Sequence, residues 1–136
     1  MDLTIYTDGG SLNNPGPAAC SYLIFSGKNL ISKASIKLGI QSNNVAEYSG
    51  LINALTAVKE ITKDSPLRSL LCISDSLLMV KQLTGEYKIK HPDMKKLAAR
   101  VHLLEMELGI VPTYKHVLRE KNADADTLVG EALGRK

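Results

Sequence analysis

Tryptophan is missing from this sequence, phenylalanine occurs once, and only three histidines and two cysteines are present. Cys20 and Cys72 stand at no metal-binding spacing, and neither has a histidine beside it, so a Cys/His zinc site is excluded. No apolar run approaches the roughly 18 residues that a membrane helix needs. The N-terminus enters strand-like sequence directly, without a basic-then-apolar leader. The expected setting is therefore cytoplasmic, with both thiols reduced and buried. There is no repeat, low-complexity tract or internal linker, and no strong excess of one charge. The net charge of +3 and pI near 8.8 permit a polyanionic partner without requiring one. What is present is enough apolar sequence, 44% of 136 residues, to bury the core of one domain spanning 1–136.

Periodicity divides the chain into elements. Leu3–Asp8 alternates as a strand, with Leu3, Ile5 and Thr7 on one face and Thr4, Tyr6 and Asp8 on the other. The following "NNPGP" is a loop by composition. Ala18–Phe25 and Leu30–Leu38 read as two more strands joined by a turn at Ser26–Asn29, which suggests an antiparallel meander. From Asn44 to Lys63 the period becomes helical, with Val45, Tyr48, Ile52 and Leu55 on one stripe and cap chemistry at Ser42–Asn44. "SLLCISD" is a fourth strand running to Asp75. A short helix then ends at Gly85, and a longer one runs from His91-Pro92-Asp93 to about Leu108. Thr113–Leu118 is a fifth strand and Ala123–Leu133 a last helix. This order implies a mixed α/β sheet with helices on its faces, in which strand four returns parallel to strand one through a right-handed crossover.

If strands one and four are neighbours, Asp8 and Asp75 end side by side. Each acid alone has an ordinary explanation: aspartate starts turns and caps helices, and Glu47 and Asp126 sit near helix N-termini where the dipole favours a carboxylate. Asp124 competes with Asp126 two residues earlier. Taken together, Asp8, Glu47, Asp75 and Asp126 all lie beside residues that must face the sheet. Carboxylates converging at one edge repel unless cations lie between them. An all-oxygen donor set favours a hard ion, Mg²⁺ or Mn²⁺. Two such ions ~4 Å apart can clamp the attacking and leaving oxygens of a phosphodiester.

Four stretches carry a family resemblance. "YTDGGSLNNPGPA", "NNVAEYSGLINAL", "SDSLLMVKQLTGEYKIK" and "REKNADADTLVGEAL" resemble, in order and over nearly the whole chain, the signature blocks of type 1 ribonuclease H. The resemblance implies an RNase H-like fold: a five-stranded mixed sheet, its first three strands antiparallel, strands one and four adjacent and parallel, with helices on both faces. It implies Mg²⁺-dependent endonucleolytic cleavage of the RNA strand of an RNA–DNA hybrid, leaving 5′-phosphate and 3′-hydroxyl ends. Asp8, Glu47, Asp75 and Asp126 become the metal-binding and catalytic acids, the family pattern Asn-x-x-Ala-Asp selecting Asp126 over Asp124. Asn14, Asn43 and Asn44 resemble residues that contact sugar and base edges, and Ser42 resembles one that holds a DNA phosphate. Gly10 and Ser11 belong to the same groove loop. No obligatory protein partner is implied.

Departures from the family pattern narrow the expectation. The chain resembles the short, archaeal-like form: where many members carry a basic, tryptophan-bearing protrusion, it has only "GEYKIKHPDMKK", with Lys88, Lys90, His91, Lys95 and Lys96 as a smaller basic patch. Fewer phosphate contacts predict weaker binding. The loop histidine of many members is replaced by Leu118–Asn122, where Arg119 or Glu120 could substitute. Leu77 stands where a polar groove residue is common. The alternatives are a catalytically weak nucleic-acid-binding module on the same fold, or a nuclease that also cuts double-stranded RNA.

Overall fold

Ile5 pairs with Ile24 across an antiparallel ladder and with Cys72 across a parallel one, which places the alternating apolar face of the first strand at the centre of the sheet. In the computed structural model, which describes residues 1–135, the elements follow the expected order. They are β1 (Asp2–Ser11), β2 (Gly16–Ser26), β3 (Asn29–Gln41), α1 (Asn43–Ile61), β4 (Ser69–Ser74), α2 (Leu77–Leu83), α3 (Pro92–Leu108), β5 (Thr113–His116) and α4 (Ala123–Ala132). A single 3₁₀ turn at Arg119–Asn122 precedes α4. The sheet order is β3-β2-β1-β4-β5, with β1, β2 and β3 antiparallel and β4 parallel to both β1 and β5.

Strand boundaries differ from the sequence reading in one informative place. Asp8 is not the tip of its strand: β1 continues through Gly9, Gly10 and Ser11, paired to Cys20, Ala19 and Ala18 of β2. The parallel ladder to β4 stops earlier, at Thr7 opposite Ser74. Asp8 is therefore the first β1 residue with β2 on one side and no strand on the other. A loop rich in Gly, Asn and Pro reads as a strand end, but the hairpin to β2 keeps the backbone extended. The fifth strand is shorter than expected, ending at His116.

Helix α1 starts on Ser42, whose side chain accepts a hydrogen bond from the Val45 N–H at 3.2 Å. Its buried line Ala46, Gly50 and Ala54 rides against the sheet. Tyr48, Leu51, Leu55 and Val58 fill the layer with Leu3, Ile5, Ile24, Leu70 and Val101. Each aliphatic side chain so buried contributes about 1.5–3 kcal/mol. Val45 is only half-buried, at the edge of the stripe. Gly85 and Gly109 adopt φ of 82° and 70° just past α2 and α3, the left-handed stops that the sequence anticipates.

Alternation along β2 places α4 on the opposite face. Cys20 faces Gly50 of α1, whereas the next residue, Ser21, donates its hydroxyl to the Ala125 carbonyl of α4 at 2.6 Å. Cys20 and Cys72 are buried free thiols on strands that flank β1 on opposite sides, as the expectation of no bridge requires. Among the described residues no helix is long and apolar enough to cross a membrane.

Candidate active site

The parallel register decides the first contact. Thr7 sits opposite Ser74, so the next residues, Asp8 and Asp75, leave the ladder side by side. The turn carrying Asp75 is fixed by its neighbours: the Ser74 hydroxyl accepts from the Ser76 N–H at 3.0 Å, and the Ser76 hydroxyl caps α2 by accepting from the Met79 N–H at 3.2 Å. Glu47 arrives from above. A Cβ on Gly9 would lie 2.2 Å from the Ala46 carbonyl carbon, and one on Gly50 would lie 2.7 Å from the Asp8 carbonyl oxygen. These missing side chains let α1 rest directly on β1 and bring its second turn to Asp8.

Carboxylate oxygens of Asp8, Glu47 and Asp75 lie within 4.8 Å of one another. Burial pushes the Asp8 carboxyl up to about 8, with the Asp75 charge adding to the effect. Burial also raises Glu47 well above its ordinary range, reinforced by Asp8 and then Asp75. Glu47 Oε1 is buried and has no hydrogen-bond partner. A buried acceptor without a donor, in a knot of like charge, is costly unless a cation completes it. The all-oxygen donor set suits a hard divalent ion and fits poorly to zinc or copper.

Asp126 lines the same hollow of about 440 Å³ but lies outside the 4.8 Å group. Its Oδ1 accepts a hydrogen bond from Arg119 Nη2 at 2.9 Å, and Arg135 Nη2 stands 3.9 Å from the same oxygen. Arg119 and Arg135 thus line the hollow together with the acids. Asp124, the competitor, is exposed and lines a different cavity, with Tyr6, Phe25 and Glu120. The same division distinguishes the two loop candidates: Arg119 reaches the acidic hollow and Glu120 does not.

The groove residues are partly committed to one another. Asn43 Oδ1 accepts from the Ser11 backbone N–H at 2.8 Å and from its hydroxyl at 3.1 Å. Asn14 Oδ1 accepts from the Asn43 N–H at 2.8 Å. These bonds latch the β1–β2 loop to the start of α1 and leave both Nδ2 groups pointing their donors elsewhere. Gly10, Ser11 and Asn43 line the acidic hollow; Asn44 is exposed beside it in sequence, and Ser42 is engaged as the α1 cap. Gly9 and Gly16 are each required by packing within the fold. Gly9 faces α1, and a Cβ on Gly16 would run into the Leu12 carbonyl oxygen. Lys88 and Lys90 are exposed between α2 and α3 and do not line the hollow.

Two tethers escape sequence reasoning. Asn122, almost fully buried, donates Nδ2 to the Thr7 carbonyl at 2.8 Å, and Ser21 holds Ala125. These bonds fasten the start of α4 to β1, beside Asp8, and to its neighbour β2, which sets Asp126 at the site. The only sequence signal was the conjunction of Asn122 and Asp126 in "NADAD"; Ser21 carried none. Arg135, at the far end of α4, was likewise unmarked.

A sheet whose central parallel ladder stops just short of two aspartates, with a helix glutamate beside them, defines an α/β domain of the nuclease type whose acids could hold a divalent ion. The family model described as RNase H matches residues 1–133. The chain belongs to the type 1 ribonuclease H family. The solved structure of LC11-RNase H1 in complex with an RNA/DNA hybrid is 36% identical and superimposes with a TM-score of 0.90, covering 97% of this chain and 99% of that one. The N-terminal RNase H domain of Rv2228c from Mycobacterium tuberculosis gives 32% and 0.87, over 96% and 98% of the two chains. Ribonuclease HI of Halobacterium salinarum is 38% identical over 94% of this chain and 62% of its own length. The chain spans 36% of the full bifunctional protein Rv2228c.

Proposed function

We propose that this chain is an endonuclease that hydrolyses the RNA strand of RNA–DNA hybrids, leaving 5′-phosphate and 3′-hydroxyl ends. Asp8, Glu47, Asp75 and Asp126 would hold two divalent ions, Mg²⁺ or Mn²⁺. The observation that carries the reading is the group of Asp8, Glu47 and Asp75 within 4.8 Å, with Glu47 Oε1 buried and unpartnered. Two ions of this kind supply Lewis-acid stabilisation to the charges on the attacking and leaving oxygens of a phosphodiester.

The chain's own residues do the rest. Asp8 is held between β2 and Asp75 by the strand register, so its carboxylate needs no reorganisation on binding. Gly10 keeps the hollow open, since the nearest atoms to a Cβ there are 3.8 Å away. Asn14, Asn43 and Asn44 would present short amide donors, and Ser11 a hydroxyl oxygen as acceptor, suited to 2′-hydroxyls and base edges in the wide minor groove of an A-like duplex. Ser42, at the α1 N-terminus, would take a DNA phosphate. Lys88 and Lys90 add phosphate contacts farther out. The hybrid bound by LC11-RNase H1 supports this substrate class.

Labelled hybrid, double-stranded RNA and double-stranded DNA are incubated with the purified chain and Mg²⁺, with and without chelator. Chelator-sensitive cutting of the hybrid is expected, with the Asp75→Asn variant folded and inactive. An intact hybrid in Mg²⁺, or full activity of that variant, would overturn the reading. Cutting of duplex RNA in the second arm would widen the substrate class.

A further inference from the structure

We propose that Arg135 is a phosphate-binding residue, seated on α4 against Gly130 and taking a backbone phosphate of the bound nucleic acid beside the acidic hollow. The inference rests on the nucleic-acid reading above and adds to it a contact outside the signature blocks. Helix α4 ends at Ala132, Gly134 reverses the chain with φ of 74°, and the Arg135 N–H returns to the Gly130 carbonyl at 2.7 Å. The Arg135 side chain then runs back over the helix. It lies along Gly130: the position of a Cβ there is 3.7 Å from Arg135 Cβ, 3.8 Å from Nε and 4.0 Å from Nη2, ordinary contact distances that mark the side chain as packed on the helix.

This seat delivers the guanidinium to the rim of the acidic hollow and to an adjoining one of about 430 Å³, lined also by Arg119, Asp126, Thr127, Gly130 and Glu131. Asp126 Oδ1 is already hydrogen-bonded by Arg119. Arg135 stands 3.9 Å from that oxygen, and its side chain makes no hydrogen bond among the described residues. A second guanidinium beyond hydrogen-bond reach, 35% exposed, gives Asp126 little. Its donors are unspent, and a planar fork of N–H groups matches the oxygens of a phosphodiester. Glu131 shares the hollow, but on its exposed side, where solvent screens it. The ligand class follows from position: a phosphate of the strand whose neighbouring phosphodiester meets Asp8, Glu47 and Asp75.

The test measures binding of a fluorescent hybrid in chelator, so that nothing is cut, across a series of salt concentrations. Arg135→Ala is expected to weaken binding several-fold and to reduce the slope of log affinity against log salt by about one. Arg135→Lys keeps the slope, because the charge stays, while affinity is only partly restored because the fork is lost. Thermal midpoints of both variants should match the parent chain. Arg135→Ala with parental affinity and slope would overturn the inference, as would weaker binding at an unchanged slope, which marks a packing role. If the parent chain binds no hybrid, the functional reading falls and this contact falls with it.

Discussion

Gly9 lies against Ala46 so closely that a methyl group on Gly9 would sit 2.2 Å from the Ala46 carbonyl carbon. The neighbours in that contact are backbone atoms, which cannot rotate away. Gly9→Ala must therefore lift α1 from β1, at about 1–3 kcal/mol of overpacking. The same movement draws Glu47 away from Asp8. Urea unfolding should show the loss of stability, and metal titration should show weaker binding.

A second expectation concerns pH. Asp8 titrates near 3.8 when unfolded and at about 8 in the metal-free fold, so between those values the folded chain binds a proton that the unfolded chain has released. Stability of the metal-free protein must fall as pH rises through that window and level off above it. Glu47, raised in the same direction, adds to the slope. A divalent ion held by these acids would relieve the repulsion, so the rise in thermal midpoint on adding Mg²⁺ should be larger at pH 8 than at pH 6. Asp8→Asn should flatten the pH slope in chelator and shrink the Mg²⁺ increment.

Salt dependence measures the small basic patch. Lys88 and Lys90 are exposed and their ammonium groups make no ion pair among the described residues. Replacing both by alanine should lower the salt slope of hybrid binding by about two, with the cleavage position unchanged.

Thiol chemistry tests the sheet order. Burial pushes the Cys20 thiol up to about 12 and Cys72 well above its usual value. Neither should react with a thiol reagent at pH 8 in the native state, and both should react once the chain is unfolded. A disulfide formed without unfolding would contradict the placement of β1 between them.

The elements were legible because their signals are local. Ser42 caps α1 by reaching three residues ahead, and Gly109 ends α3 through its own backbone angle. The acids were legible as a set, since Asp8 and Asp75 follow strands that a crossover can make neighbours. The commitments of Asn14 and Asn43 to Ser11 and to each other were not, because each bond spans about thirty positions and depends on how a loop meets a helix.

By itself the sequence determined the order of strands and helices, the burial of apolar faces, and which carboxylates lie at element boundaries. All of these follow from side-chain periodicity, turn chemistry and caps that act over a few residues. Tertiary structure alone decided that Asp8 lies within its strand, that Gly9 packs against a helix, and that Asp126 pairs with Arg119 beside Arg135. Those outcomes depend on where the β4 ladder stops against β1 and on how α4 folds back upon itself. Such relations arise between segments far apart in the chain, and no local preference encodes them.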